Sequence, residues 1–132
     1  MKININNLED TKKLAESLAA EAKIGDCFAL YGDLGAGKST FARYFIQYLL
    51  PDVENIPSPT FTIMQQYDRG VLHIDCYRLE AENEAVEIGL CELFSSSISL
   101  IEWPEKIPNL LPKCAKKLYF SILNNERTVE IR

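Results

Sequence analysis

Apolar residues along the chain alternate between strand and helix spacing. From Lys2 to Asn6 isoleucine alternates with polar residues, which predicts an edge strand. Leu8, Leu14, Leu18 and Ala22 then share one helical face, with Asn7 or Asp10 placed to cap the start and Gly25 to end the segment. Asp26 to Tyr31 reads as a strand, and Phe41, Phe45 and Leu49 stripe a following helix that stops at Pro51. Pro57-Ser58-Pro59 breaks the chain. Beyond it Phe61 to Tyr67 and Val71 to Cys76 flank Asp68-Arg69-Gly70 and predict a hairpin. Glu82 to Phe94 predicts a helix with a break at Gly89, and Ile98 to Ile101 a largely apolar strand closed by Glu102. Lys117 to Leu123 and Thr128 to Ile131 form a last hairpin around Asn124-Asn125-Glu126. The alternation is of the α/β kind, and with no repeat, linker or low-complexity tract residues 1–132 are expected to form one sheet-centred domain.

At 47% hydrophobic and 25% charged the composition is that of a globular protein. The net charge of −5 argues against an independent grip on nucleic acid, which draws on clustered Lys and Arg. Lys113-Cys114-Ala115-Lys116-Lys117 is too short to reverse this and reads as a solvated turn. Cys27, Cys76, Cys91 and Cys114 form no C-x-x-C pair, which argues against zinc and predicts buried or free thiols in a reducing cytosol. With no charged-then-apolar leader and no run of bilayer length, a soluble, cytoplasmic protein is expected.

The chemistry enters at Gly32-Asp33-Leu34-Gly35-Ala36-Gly37-Lys38-Ser39, which fits G-x-x-x-x-G-K-[ST] directly after the apolar run Cys27 to Tyr31. In such a loop the backbone N–H groups turn toward a polyphosphate, and the following helix adds the positive end of its dipole. Gly35, Ala36, Gly37, Lys38, Ser39 and Thr40 are therefore candidate phosphate-binding positions. Lys38 is expected to face solvent and to reach the β- and γ-phosphates, and Ser39 to offer its hydroxyl to Mg²⁺.

A nucleoside triphosphatase also needs a carboxylate for the metal at the end of a neighbouring apolar strand. Glu102 and Asp75 both qualify. Glu102 is assigned the metal because its strand is the more uniformly apolar, and Asp75 then orients the attacking water or holds a water on the metal. His73, the only histidine, reads as packed or hydrogen-bonded and stays outside the catalytic set. Arg78 reads equally as a neutraliser of phosphoryl charge, a partner contact or a structural ion pair. Trp103 reads as a neighbour of the nucleotide or of a docking surface, or as an aromatic supporting the Pro104 turn.

Gly32 to Phe41, Ser58-Pro59-Thr60-Phe61, His73-Ile74-Asp75-Cys76-Tyr77-Arg78-Leu79 and Leu100-Ile101-Glu102-Trp103-Pro104-Glu105 together resemble the TsaE (YjeE-like) family in order and spacing, from about Thr11 onward. The loop is shared by many families; its combination with the other three segments is specific. The resemblance implies a three-layer, P-loop NTPase-like fold with a central mixed sheet flanked by helices. It implies Mg²⁺-dependent, weak ATP hydrolysis serving threonylcarbamoyladenosine formation in tRNA, with ATP turnover resetting a complex. The implied partners are the transferase subunit and its paralogous scaffold subunit, with tRNA held by them. It makes Ser39 and Glu102 the Mg²⁺ ligands, Ser58 to Phe61 with Thr60 a γ-phosphate switch, and Asp75 the residue needed for hydrolysis. Thr11, Glu105 and Arg127 fall near the base or ribose. Ser39 departs from the family's more frequent Thr. Two other readings share the loop: a small-molecule kinase, which lacks here an Arg-rich lid insertion, and a nucleotide-dependent switch in which turnover is incidental.

Overall fold

The computed structural model describes residues 1–33, 35–53 and 64–132. Its strands are β1 (Lys2–Asn4), β2 (Cys27–Tyr31), β3 (Met64–Tyr67), β4 (Val71–Asp75), β5 (Ile98–Glu102), β6 (Lys116–Leu123) and β7 (Glu126–Ile131). They form one sheet in the order β1-β7-β6-β2-β5-β4-β3. The inner pairs β6/β2, β2/β5 and β5/β4 are parallel, and the hairpins β3/β4 and β6/β7, with β1/β7, are antiparallel. The sheet is thus mixed, with β2 at its middle, β5 an interior strand beside it and β1 at an edge.

Alternation along β2 and β5 divides the core in two. Phe28, Leu30 and Leu100 face α1 (Leu8–Glu21) and α2 (Lys38–Leu49), packing with Leu14, Leu18, Phe41, Phe45 and Ile46. Cys27 and Ile101 face the other way, toward Leu72, Ile74, Ala85, Leu90 and Ile107 around α3 (Glu82–Glu87) and α4 (Leu90–Leu93). Phe28 and Phe45 meet at 4.9 Å between ring centroids and Phe41 and Phe120 at 5.5 Å, each pair adding about 0.5–1.5 kcal/mol beyond area burial. Three layers result.

Local chemistry sets the boundaries. The Asn7 side chain accepts the Asp10 N–H at 2.9 Å, so Asn7 rather than Asp10 caps α1. Leu8 lies on the apolar stripe but is the first residue of α1 and is 64% exposed, while Thr11 takes the buried position one turn on. Gly89, at φ +83, separates α3 from α4. Asn124 and Asn125 both take positive φ, making a two-residue hairpin turn, so Glu126 joins β7 opposite Leu123 instead of lying in the turn. Residues 61–63 of the first predicted hairpin, and Pro57-Ser58-Pro59, lie outside the described residues.

Among the described residues no helix is long and apolar enough to cross a membrane. All four cysteines are free, with Cys27 and Cys76 buried and Cys91 and Cys114 exposed. Burial, with a smaller push from Cys114, raises the Cys27 thiol to about 12; burial, then Asp75 and Glu105, does the same to Cys76. At pH 8 both are neutral thiols and poor nucleophiles. Titration of the native protein with a thiol reagent is therefore expected to give two fast equivalents, with the other two reacting at a comparable rate only after unfolding. Four fast equivalents in the native protein would contradict this.

Candidate functional site

The site begins where β2 runs out. Gly32 follows the strand at φ +138, and a Cβ there would lie 2.5 Å from the Phe120 carbonyl oxygen, so only glycine lets β6 back the loop this closely. Gly37, at φ +108, is the last residue before α2, whose first turn has no side-chain cap. The opening N–H groups of this helix, at Lys38, Ser39 and Thr40, are left without intrahelical acceptors beside the loop.

Two parallel strands bring the acids together. Asp75 and Glu102 end β4 and β5 opposite each other in register. Ser39 Oγ donates to Glu102 Oε1 at 2.8 Å, and His73 Nε2 meets Glu102 Oε2 at 2.7 Å. Glu102 is 2% exposed. Burial pushes its carboxyl upward, but the His73 hydrogen bond and charge, the Ser39 hydroxyl and Lys38 outweigh that and leave it below its ordinary value. It is an anion held ready. Asp75 accepts the Tyr77 N–H at 2.9 Å through Oδ1. Burial, reinforced by the nearby Glu102 charge, raises its carboxyl against the opposing pull of that N–H, His73 and Lys38. The two neighbouring acids are thus driven apart in acidity.

Lys38 is buried, at 4% exposure, which corrects the expectation that it faces solvent. The reason is non-local. Its Nζ donates to the Gly32 carbonyl oxygen and sits 3.7 Å from the centroid of the Trp103 ring, so the loop and an aromatic from the end of β5 enclose it. Burial lowers its pKa, while Glu102, Glu105, Asp75 and Asp33 oppose that shift. Trp103 itself adopts φ 58 and ψ 48, unusual for a bulky residue, opens the turn Pro104–Lys106 and packs on Tyr77 at 5.0 Å. Of its two readings, the structure bears on the aromatic that supports the Pro104 turn.

A cavity of about 280 Å³ opens over this cluster, walled by Lys38, Ser39, Asp75, Glu102, Tyr77 and Trp103. A second, of about 260 Å³, shares Gly35, Gly37 and Thr40 with it and extends to Asn7, Thr11 and Arg127. Thr11 is buried, whereas Arg127 is exposed and its backbone N–H donates to Asn6 Oδ1 at 2.8 Å. Glu105 lines neither cavity and stands exposed beyond Trp103, near enough to act on the Lys38 charge. Ala36 packs into the core and faces a further cavity behind the loop, with Gly32 and Phe120. Arg78 is exposed. Thr60, with Ser58 to Phe61, lies outside the described residues.

Tyr77, quoted in the sequence only as part of a motif and given no site role, walls the cavity, and its N–H fixes Asp75. Its position two residues beyond Asp75 was the available signal. Among the described residues no three His, Cys, Asp or Glu side chains form a metal cage. The adjacent Ser39 hydroxyl and Glu102 carboxylate are instead hard oxygen donors of the kind that hold Mg²⁺ together with waters and phosphate oxygens.

Residues 5–131 match the family model described as threonylcarbamoyl adenosine biosynthesis protein TsaE. Among relatives, the chain is 46% identical over 112 residues to the tRNA threonylcarbamoyladenosine biosynthesis protein TsaE of Bacillus subtilis, covering 81% of this chain and 68% of that one. It is 39% identical over 126 residues to the protein of the same name from Rickettsia felis, covering 93% and 74%. The crystal structure of the B. subtilis protein YdiB superposes with a TM-score of 0.80 at 34% identity, over 98% of this chain and 82% of that one. The fold, the glycine loop with its paired strand-end acids and these likenesses agree, and the chain belongs to the TsaE family of threonylcarbamoyl adenosine biosynthesis proteins.

Proposed function

We propose that this chain binds and hydrolyses ATP in support of threonylcarbamoyladenosine modification of tRNA, its turnover resetting a complex of a threonylcarbamoyltransferase subunit and a paralogous scaffold subunit. The observation that carries the nucleotide chemistry is the contact of Ser39 Oγ with Glu102 Oε1, beside Asp75 and at the start of α2. The names of the relatives carry the pathway. Ser39 and Glu102 are the groups that would hold Mg²⁺, which when bound neutralises charge on the phosphate oxygens. Asp75, less acidic than its neighbour, orients the attacking water. The phosphates lie along the Gly35–Thr40 N–H groups, with the nucleoside running toward Thr11 and Arg127. A cytosolic setting agrees with four free cysteines.

A second reading, a nucleotide-dependent switch with incidental turnover, draws on the engagement of Lys38 by Gly32 and Trp103. Phosphates must draw Lys38 away, so binding alone rearranges the site. ATP and ADP are accordingly expected to change the emission of Trp103, the only tryptophan, whereas AMP, lacking the β-phosphate that Lys38 would reach, leaves it unchanged. An equal response to AMP would remove Lys38 as the cause. ATP hydrolysis and tRNA modification measured together, with and without the transferase complex, separate the two readings. Turnover that rises with the complex and is required for repeated modification supports the resetting role; modification sustained by a non-hydrolysable analogue supports the switch.

A further inference from the structure

His73 is buried at 2% exposure on β4, opposite Leu100 and therefore two residues short of Glu102 along the neighbouring strand. The parallel register puts its ring on the same sheet face as Glu102, where Nε2 and Oε2 meet at 2.7 Å. Its other nitrogen, Nδ1, is buried with no hydrogen-bond partner among the described residues. A side chain needed here only to fill space would be better served by leucine, which leaves no polar nitrogen unpaired in the core. Among the described residues the one polar tether of the ring is Glu102.

We propose that His73 is a positioning residue. By donating from Nε2 to Oε2 it fixes the plane of the Glu102 carboxylate, keeps Oε1 on the Ser39 side at the cavity, and so sets how strongly Mg²⁺ supports nucleotide binding. The terminal torsion of a glutamate is broad and soft, and a partner on one oxygen alone does not define it. Here the two oxygens have different partners, Ser39 on Oε1 and His73 on Oε2, and the pair fixes both position and rotation. The imidazole and the carboxylate are each 3% exposed at the side chain, so water does not compete for the contact. Groups that orient a metal-binding carboxylate from behind in this way affect metal affinity by about 10–100-fold when removed.

The inference rests on the nucleotide-binding reading above, and the test keeps the two apart. ADP affinity is measured by calorimetry from chelator-treated buffer to saturating Mg²⁺ for the wild type, His73→Leu and His73→Gln. In the wild type, affinity rises with Mg²⁺; in His73→Leu about 10-fold of that rise is expected to be lost, with the affinity for metal-free ADP unchanged. His73→Gln, which keeps an N–H donor, is expected to retain most of it. An intact rise in a folded His73→Leu protein, or an equal loss with and without Mg²⁺, overturns the proposal while leaving the nucleotide reading standing. A wild type whose ADP affinity ignores Mg²⁺ removes both. Because the chain has one histidine, ¹⁵N-histidine labelling of the wild type reads His73 alone and needs no variant to fold. A proton on Nε2 supports the donation to Glu102, and a ring protonated on Nδ1 alone overturns it.

Discussion

Replacing Lys38 by methionine is expected to lower ATP turnover by about 10²–10³-fold, the scale on which loss of one preorganised charge at a reacting centre is felt. Methionine is the informative substitute because Lys38 is enclosed, with Nζ against Gly32 and Trp103, and its methylene stem helps to close the loop. Truncation to alanine removes stem and charge together and is expected to cost stability as well. Comparing the two variants by turnover and by thermal unfolding separates these contributions. Wild-type turnover in a folded Lys38→Met protein, measured in the assembled complex, would remove the lysine from the reaction.

The second large effect divides the acids. Asp75→Asn is expected to leave Mg²⁺–nucleotide affinity nearly intact and to slow hydrolysis by about 10²–10⁴-fold, as loss of a water-orienting group does. Glu102→Gln is expected to reduce the dependence of nucleotide affinity on Mg²⁺, because an amide is a poorer ligand and cannot accept from both Ser39 and His73 in the same way. The two are close enough to interact, so the double variant should fall short of the sum. If metal dependence disappears in the Asp75 variant instead, the roles are exchanged.

Much of this arrangement was legible in the chain. The run Ile98–Ile101, apolar but for Ser99, marks a strand buried on both faces, and it is the interior β5, between β2 and β4, that carries Glu102. The glycine loop after Cys27–Tyr31 is local chemistry, and so is the Asn7 cap. What was not legible depends on register and on residues distant in sequence. Nothing near Lys38 announces that Trp103, on another strand's exit, will cover it. Periodicity likewise leaves His73 a packed strand residue until β4 and β5 align so that it reaches Glu102 rather than Leu100. Leu8 shows the converse, a side chain with the right helical phase that is nonetheless exposed at the first position of its helix. The residues named by likeness alone divided in space, with Thr11 and Arg127 meeting at one cavity and Glu105 standing apart.

The second cavity is built from both ends of the chain: Asn7 and Thr11 supply one wall, and Arg127, whose N–H is held by Asn6, supplies the other. Among the described residues β1 pairs with β7 alone, at the edge of the sheet. On the ribosome, where residues are added at about 5–20 per second, the glycine loop, its lysine and both acids are all made before the strand that completes this wall. A nascent chain ending near residue 115 carries the whole phosphate motif and yet lacks the surface toward which the nucleoside would extend. On the proposed reading, the wall for the nucleoside closes only once Arg127 has been made, after the glycine loop, its lysine and both acids.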